Sequence, residues 1–219
     1  MNVVKIGGSL ISKPEKLKKL CRVLSKLAEK HRIVVVPGGG IFADTVRLVD
    51  GMFKLPAEIS HHMAILAMDQ YGVMLSSLIL NSIKVYSLTK LEKFSGKTLP
   101  IILPSKLILK SKILKPSWKV TSDSIAAYVG FKVKAEKVVL VKDVDGIFNR
   151  NPKKDFKAKL LREISVKKLQ KLKETCVDKF LPKVISKFKL ECYIVNGFYP
   201  ERLVNILEGK KAVYTKIIT

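Results

Sequence analysis

The sequence predicts an α/β protein built on a parallel or mixed sheet with helices on both faces. Three observations carry the prediction. Short β-branched apolar runs ("NVVKI", "RIVVV", "KVVLVK") alternate with segments whose apolar residues recur at helical spacing. The strand-like runs end in glycine turns, at Gly7-Gly8, at Gly38-Gly39-Gly40 and at Asp145-Gly146. A chain of 219 residues, 47% of them hydrophobic, is long enough for one such domain or for two small lobes.

The elements follow in order. "NVVKIGGSL" reads as a buried strand running into a glycine turn. Leu17, Leu20, Cys21, Leu24, Leu27 and Ala28 fall at helical spacing with lysines opposite. "RIVVV" is a second strand, and Phe42, Val46 and Val49 form an apolar stripe on the next helix. A longer helix covers His61 to Leu80. The middle, Lys84 to Val120, reads as short strands and loops interrupted by prolines. "TSDSIAAYVG" starts a helix, with Thr121 or Ser122 as the capping residue. "KVVLVKDVDGIF" is a strand and turn, and Val166, Leu169 and Leu172 mark a short Lys-rich helix. "LECYIVNG" is another strand. "PERLVNIL" has proline at its start and Gly209 past its end, as helices do, and "AVYTKII" is a terminal strand. A C-terminal lobe beginning near Asn81 is one division of this order; no linker or repeat marks it.

Composition narrows the partners. Lys and Arg number 42 against 18 Asp and Glu, a formal charge of +24. That charge favours nucleotides, phosphorylated metabolites or nucleic acid, unless it is only a solvated, Lys-rich surface. Cys21, Cys176 and Cys192 have no C-x-x-C spacing, which argues against a disulfide framework or a zinc site. The start "MNVVKIGGSL" has no signal-peptide pattern, and the longest apolar stretch is broken by serines. A cytoplasmic protein without a membrane anchor is expected.

Glycines at the carboxyl ends of parallel strands let backbone N–H groups approach phosphate oxygens, with a helix N-terminus behind them. Lys5, two residues before Gly7, adds a cation to the first of these turns. Other phosphate motifs fail. "SGKT" at Ser95 to Thr98 would need glycine where Leu91 stands, and "KDVDG" would need a calcium ligand where Val141 stands. His61-His62 is either an ordinary buried and exposed pair or a source of a hydrogen bond to an anionic substrate. Asp123 either serves its own helix N-terminus or holds lysines by ion pairing, and Lys183 taken alone is one lysine among many.

Four ordered segments together resemble the amino acid kinase family, with its carbamate kinase-like fold: "KIGGSL" from Lys5, "VPGGGIFAD" from Val36, "TSDSIAAYVG" from Thr121, and "LVKDVDGIFNRNPKKDFKAKLLREIS" from Leu140. The resemblance spans nearly the whole chain. It implies a three-layer αβα sandwich with a mainly parallel sheet. It implies one domain over residues 1–219, with an acceptor-binding half (about 1–120) and an ATP-binding half (about 121–219). By resemblance Lys5, Asp123 and Lys183 are catalytic, Asp123 orienting the two lysines. Lys5, Gly7, Gly8, Ser9, Lys142, Asp143, Asp145, Gly146, Phe148, Asn151 and Lys183 meet ATP. Gly38, Gly39, Gly40, Asp44, His61 and His62 meet the acceptor. The cofactors implied are ATP and Mg2+, the ion held by nucleotide oxygens and water without a protein metal site, and a homo-oligomer, most simply a dimer, is expected. Relatives usually carry Asp where this chain has Asn151 and a small polar residue where it has Lys142. Their glycine-methionine run is here "VDKFLPK".

Within the family the short length, "GGGIFADTVR" and "SHHMAILAMDQYGVML" resemble a small archaeal branch. That branch phosphorylates (5-(aminomethyl)furan-3-yl)methyl phosphate to the diphosphate in methanofuran biosynthesis. Such an acceptor carries a phosphate for lysines and glycine N–H groups, and an ammonium for Asp44 or Asp69. The competing readings are a kinase of isopentenyl phosphate or of a nucleoside monophosphate (UMP or AMP). From another class comes a non-catalytic nucleotide- or nucleic-acid-binding module, whose main support is the charge. The kinase reading expects no specific nucleic acid partner.

Overall fold

The computed structural model describes residues 1–94, 97–109, 111, 113–152 and 154–219, with no side chain described at 90, 92 and 93. Ser95 and Gly96 of the "SGKT" run lie outside the described residues.

Eight strands form one sheet. They are β1 (Asn2–Ile6), β2 (Ile33–Pro37), β3 (Ser82–Val85), β4 (Leu99–Ile102), β5 (Lys137–Lys142), β6 (Glu163–Ser165), β7 (Cys192–Asn196) and β8 (Thr215–Ile218). Their order is β3-β4-β2-β1-β5-β7-β8-β6, and every pairing is parallel except β7 with β8. β1 lies at the centre and joins the two halves of the chain through β2 and β5, so a lobe starting near Asn81 does not separate; the sheet is continuous.

The alternation of side chains along each strand builds two cores. Val3, Val34, Val36, Val138, Leu140 and Ile194 face one side. There they meet α5 (Ser122–Lys132), α6 (Val166–Lys171) and α7 (Leu181–Phe188). Val4, Ile6, Val35, Val139, Val141 and Val195 face the other, under α1 (Pro14–Leu27) and α8 (Pro200–Leu207). α2 (Gly40–Phe53) and α3 (Ala57–Leu78) pack against each other, and a short α4 (Ser105–Ile108) follows β4. The result is a three-layer αβα arrangement.

The sequence reading misses three elements, one of them the four-residue α4 after Pro104. β6 has three residues and a single buried one, too short for periodicity to register. α7 lies in "LPKVISKF", whose proline in the first turn is a helix-start signal that the surrounding lysines mask. α3 begins at Ala57, four residues before His61, because Pro56 supplies its start. No helix among the described residues is long and apolar enough to cross a membrane.

Candidate active site

Parallel register brings the charged residues together. Lys5 of β1 lies opposite Leu140 of β5, so Lys142, two residues on, points to the same face one pleat further along. Both side chains rise toward the first turn of α5, where Asp123 is 2% exposed. Lys5 Nζ lies 2.9 Å from Asp123 Oδ1 and Lys142 Nζ lies 2.8 Å from Oδ2. Burial alone would raise the Asp123 pKa, and the two ammonium groups outweigh it, holding the carboxyl well below the ordinary carboxylate range. Burial lowers the pKa of Lys5 despite Asp123. For Lys142 the attraction of Asp123 prevails over burial and the pKa is raised.

Asp178 supports this cluster and was not anticipated from the sequence. Its backbone N–H donates to Asp123 Oδ2 at 3.2 Å. Its Oδ2 accepts from the N–H and hydroxyl of Thr121 and the N–H of Ser124; its Oδ1 accepts from the Ser124 hydroxyl and from the N–H groups of Phe180 and Leu181. One carboxylate therefore caps both α5 and α7. Thr121 is the N-cap residue of α5, as expected, but its side chain makes no capping bond; its hydroxyl is spent on Asp178.

Two cavities open on either side of this cluster. The first, of about 260 Å³, is lined by Gly8, Ser9, Gly39, Gly40 and the starts of α2 and α5 at one end. At the other are Asp44, Arg47, His61, Met68, Trp118 and other apolar side chains. The second, of about 580 Å³, is lined by Ser9, Lys142, Asp143, Gly146, Phe148, Asn151 and the segment Lys173 to Val177. A third space, of about 460 Å³, is bounded by Lys5, Asp123 and Lys142. It shares Trp118, Thr121 and Ser122 with the first cavity, and Lys142, Thr175, Cys176 and Lys179 with the second.

The glycine turns meet each other across the sheet. A Cβ built on Gly8 would collide with the Gly40 nitrogen and lie 2.5 Å from its Cα, and Gly40 has φ +56. These two positions need glycine because two loops touch there, and the contact forms the floor of the first cavity. Gly7 and Gly38 line none of these three cavities: their N–H groups continue the strand pairing, to Val141 O at 2.7 Å and Ile6 O at 2.8 Å. Their expected ligand contacts are thus not supported by the geometry.

Other expected residues separate in the same way. His61 is buried, lines the first cavity and leaves Nε2 without a partner among the described residues; its ring is tied to the backbone of Ser117, and burial lowers its pKa. His62 is exposed and outside that cavity. Asp44 lines it at an exposed rim, paired with Arg47 at 2.7 Å. Asp69 faces away, accepting the Ser105 N–H at 3.2 Å. Asp145 is occupied by Arg202 and Asn196, at 2.6 and 2.9 Å, and does not line the nucleotide-sized cavity. Lys183 is exposed on α7, its Nζ 5.6 Å from the Phe180 ring centroid and unpaired with Asp123. Its position in the helix turns it away from the cluster, and Lys142 occupies the place expected for it. Trp118, whose indole N–H donates to Asp50 Oδ2 at 2.7 Å, stacks under Arg47 and closes the far wall of the first cavity. Its signal in the sequence was being the sole tryptophan.

Comparison with known proteins places this geometry. [5-(Aminomethyl)furan-3-yl]methyl phosphate kinase of Methanocaldococcus jannaschii is 38% identical over 100% of this chain and 98% of its own length. A solved isopentenyl phosphate kinase substrate complex aligns with TM-score 0.69 and 25% identity, covering 99% of this chain and 100% of that one. Uridylate kinase from Archaeoglobus fulgidus aligns with TM-score 0.78 and 21% identity over 99% of both chains, a likeness of fold. The model of the amino acid kinase family matches residues 1–186, which include β1, the glycine turns, Asp123, Lys142 and Asp178. On that match the chain belongs to the amino acid kinase family.

Proposed function

We propose that the chain transfers the γ-phosphoryl group of ATP to a small phosphomonoester, and that this acceptor is (5-(aminomethyl)furan-3-yl)methyl phosphate. The observation that carries the reading is the space floored by Lys5, Asp123 and Lys142, which joins a small cavity to a larger one. Phosphoryl transfer asks a protein mainly for positioning and for charge stabilisation. ATP takes the larger cavity, with its γ-phosphate over the cluster. The acceptor phosphate rests on the Gly8–Gly40 floor and the N-terminus of α2. An acceptor phosphate oxygen bonds to the γ-phosphorus as the bond to the β–γ bridging oxygen breaks, and ADP leaves. A phosphomonoester is already ionised near neutral pH, so no general base is required.

The far end of the small cavity suits a flat ring bearing a cation: Trp118 and Met68 offer apolar surface, and Asp44 offers a carboxylate at the rim. Magnesium would travel with the nucleotide, held chiefly by phosphate oxygens and water, and would neutralise their charge. Among the described residues no three His, Cys, Asp or Glu side chains come together to hold a metal; Asp143, on the wall of the larger cavity, is placed to contribute one ligand. The setting is the cytoplasm, where ATP is available. Ile59, Leu66 and Val73, seven residues apart and exposed on α3, support pairing with a second copy. Sedimentation of wild type and Leu66→Lys tests this, with a wild-type monomer counting against it.

The test of function is ATP consumption with the furanylmethyl phosphate, isopentenyl phosphate, UMP and AMP side by side. The furan compound should give the highest kcat/KM and a diphosphate product. Faster turnover of UMP or isopentenyl phosphate refutes the acceptor. No turnover of any of them, together with salt-sensitive RNA binding, refutes the kinase reading.

A further inference from the structure

We infer that Lys142, at the end of β5, is the second cation that contacts the transferring phosphoryl group, and that Lys183 is not part of the reaction. The inference rests on the kinase reading and deepens it.

Asp123 needs only one ammonium to satisfy its charge, yet two lysines converge on it from neighbouring strands, both buried. Burying an ammonium is costly unless something pairs with it. A second one at the same carboxylate is unexplained by stability. Each ammonium has three N–H donors, and Asp123 is the only carboxylate among the described residues paired with either. The remaining donors of both need acceptors. The space they bound opens to the small cavity on one side and the larger cavity on the other, which also meet at Ser9, so it flanks the path of the phosphoryl group. Lys142 lines the larger cavity as well, so its ammonium reaches the nucleotide phosphates and the junction alike.

Lys183 has none of these properties. It is exposed, it lines a separate cleft with Ile113, Phe180 and Phe188, and its ammonium lies 5.6 Å from the centroid of the Phe180 ring. Asp123 thus acts as a fixed anvil that aligns two cations and leaves the rest of their donors free. Preorganised donors aimed at developing charge act most strongly in the transition state.

The experiment compares wild type, Lys142→Met, Lys142→Arg and Lys183→Ala, using whichever acceptor the wild type turns over fastest. It records kcat, both KM values, the Kd for a non-hydrolysable ATP analogue, and Tm. Lys142→Met should lose roughly 100- to 1,000-fold in kcat. Its analogue Kd should shift no more than about tenfold, since one lost phosphate contact weakens binding less than it weakens the transition state. Lys142→Arg keeps the charge and the ion pair, so it holds its Tm, but its planar fork misplaces the donors and kcat should fall at least about tenfold. Lys183→Ala should stay within about threefold of wild type on a surface-residue argument. The inference is overturned if Lys142→Met keeps its kcat, if Lys142→Arg restores both Tm and kcat fully, or if Lys183→Ala loses as much as Lys142→Met. If Lys142→Met does not fold, the arginine variant decides alone. A wild type inactive with every phosphomonoester is a different failure, that of the kinase reading itself.

Discussion

Replacing Asp178 with alanine removes one carboxylate that holds two helix starts. Four backbone N–H groups donate to it: Thr121 and Ser124 at α5, Phe180 and Leu181 at α7. Thr121 and Phe180 are partly exposed, so water replaces the carboxylate for them. Ser124 and Leu181 are buried, and their N–H groups are left dry. A hydrogen bond to a charged acceptor is worth about 1.5–3 kcal/mol, which makes the two dry donors worth about 3–6 kcal/mol together. For a chain of this size, about 2–4 °C of Tm goes with each kcal/mol, so Asp178→Ala should melt about 6–24 °C lower. Asp178→Asn keeps one acceptor oxygen and one helix cap, and should lose about half as much. The assay is thermal melting beside urea titration. The urea slope should stay unchanged, which assigns the loss to the native state. A Tm for Asp178→Ala within about 2 °C of wild type, less than about 1 kcal/mol, refutes the claim that this carboxylate ties α5 to α7.

Gly8→Ala places a methyl group against the backbone of Gly40, which no side-chain rotation can relieve. It should cost about 1–3 kcal/mol by overpacking and raise the acceptor KM more than the ATP KM. Unchanged Tm and acceptor KM would show that the two loops are not held together. Asp123 makes a pH-dependent contribution whose sign follows from its lowered folded pKa. Its stabilisation is present above the unfolded carboxyl value, about 3.9, and is lost as pH falls through the folded value. The Tm difference between wild type and Asp123→Asn should therefore be largest at neutral pH and shrink progressively below about pH 4. A difference that stays constant to pH 2.5 would mean that the ion pairs with Lys5 and Lys142 do not hold this carboxyl ionised.

Much of the fold was legible because parallel strands buried on both faces read as short apolar runs rich in Val and Ile, as β1, β2, β5 and β7 do. The strands that went unresolved or unseen, β3, β4 and β6, lie toward the edges of the sheet or among prolines. The site divides along a different line. Residues fixed by backbone position, such as Lys5, Gly8, Gly40 and Asp123, fall where the motifs put them. The motif puts Lys142 at the nucleotide but not against Asp123: periodicity along one strand does not contain the register of Lys142 against Lys5. Asp178 was invisible for a related reason. Its partners come from two helices more than fifty residues apart in sequence, and one of those helices had itself been missed.

The glycines show how a local requirement and a functional one coincide without being the same. The sequence raises the question of why three consecutive glycines follow a buried strand, and a bound phosphate is the chemical answer that a sequence can offer. The geometry supplies an earlier one. β1 and β2 are adjacent and parallel, so the turns that leave them, toward α1 and toward α2, depart from the same edge within a few ångströms of each other. Side chains at Gly8 and Gly40 would force those turns apart. With glycine they touch, the first N–H groups of α2 are left with no capping side chain, and a shallow floor of backbone faces the lysine cluster. The packing constraint creates the floor on which the proposed acceptor phosphate rests. A substitution there should therefore damage stability and acceptor use together, whereas Lys142→Arg, which keeps the ion pair with Asp123, should damage turnover alone.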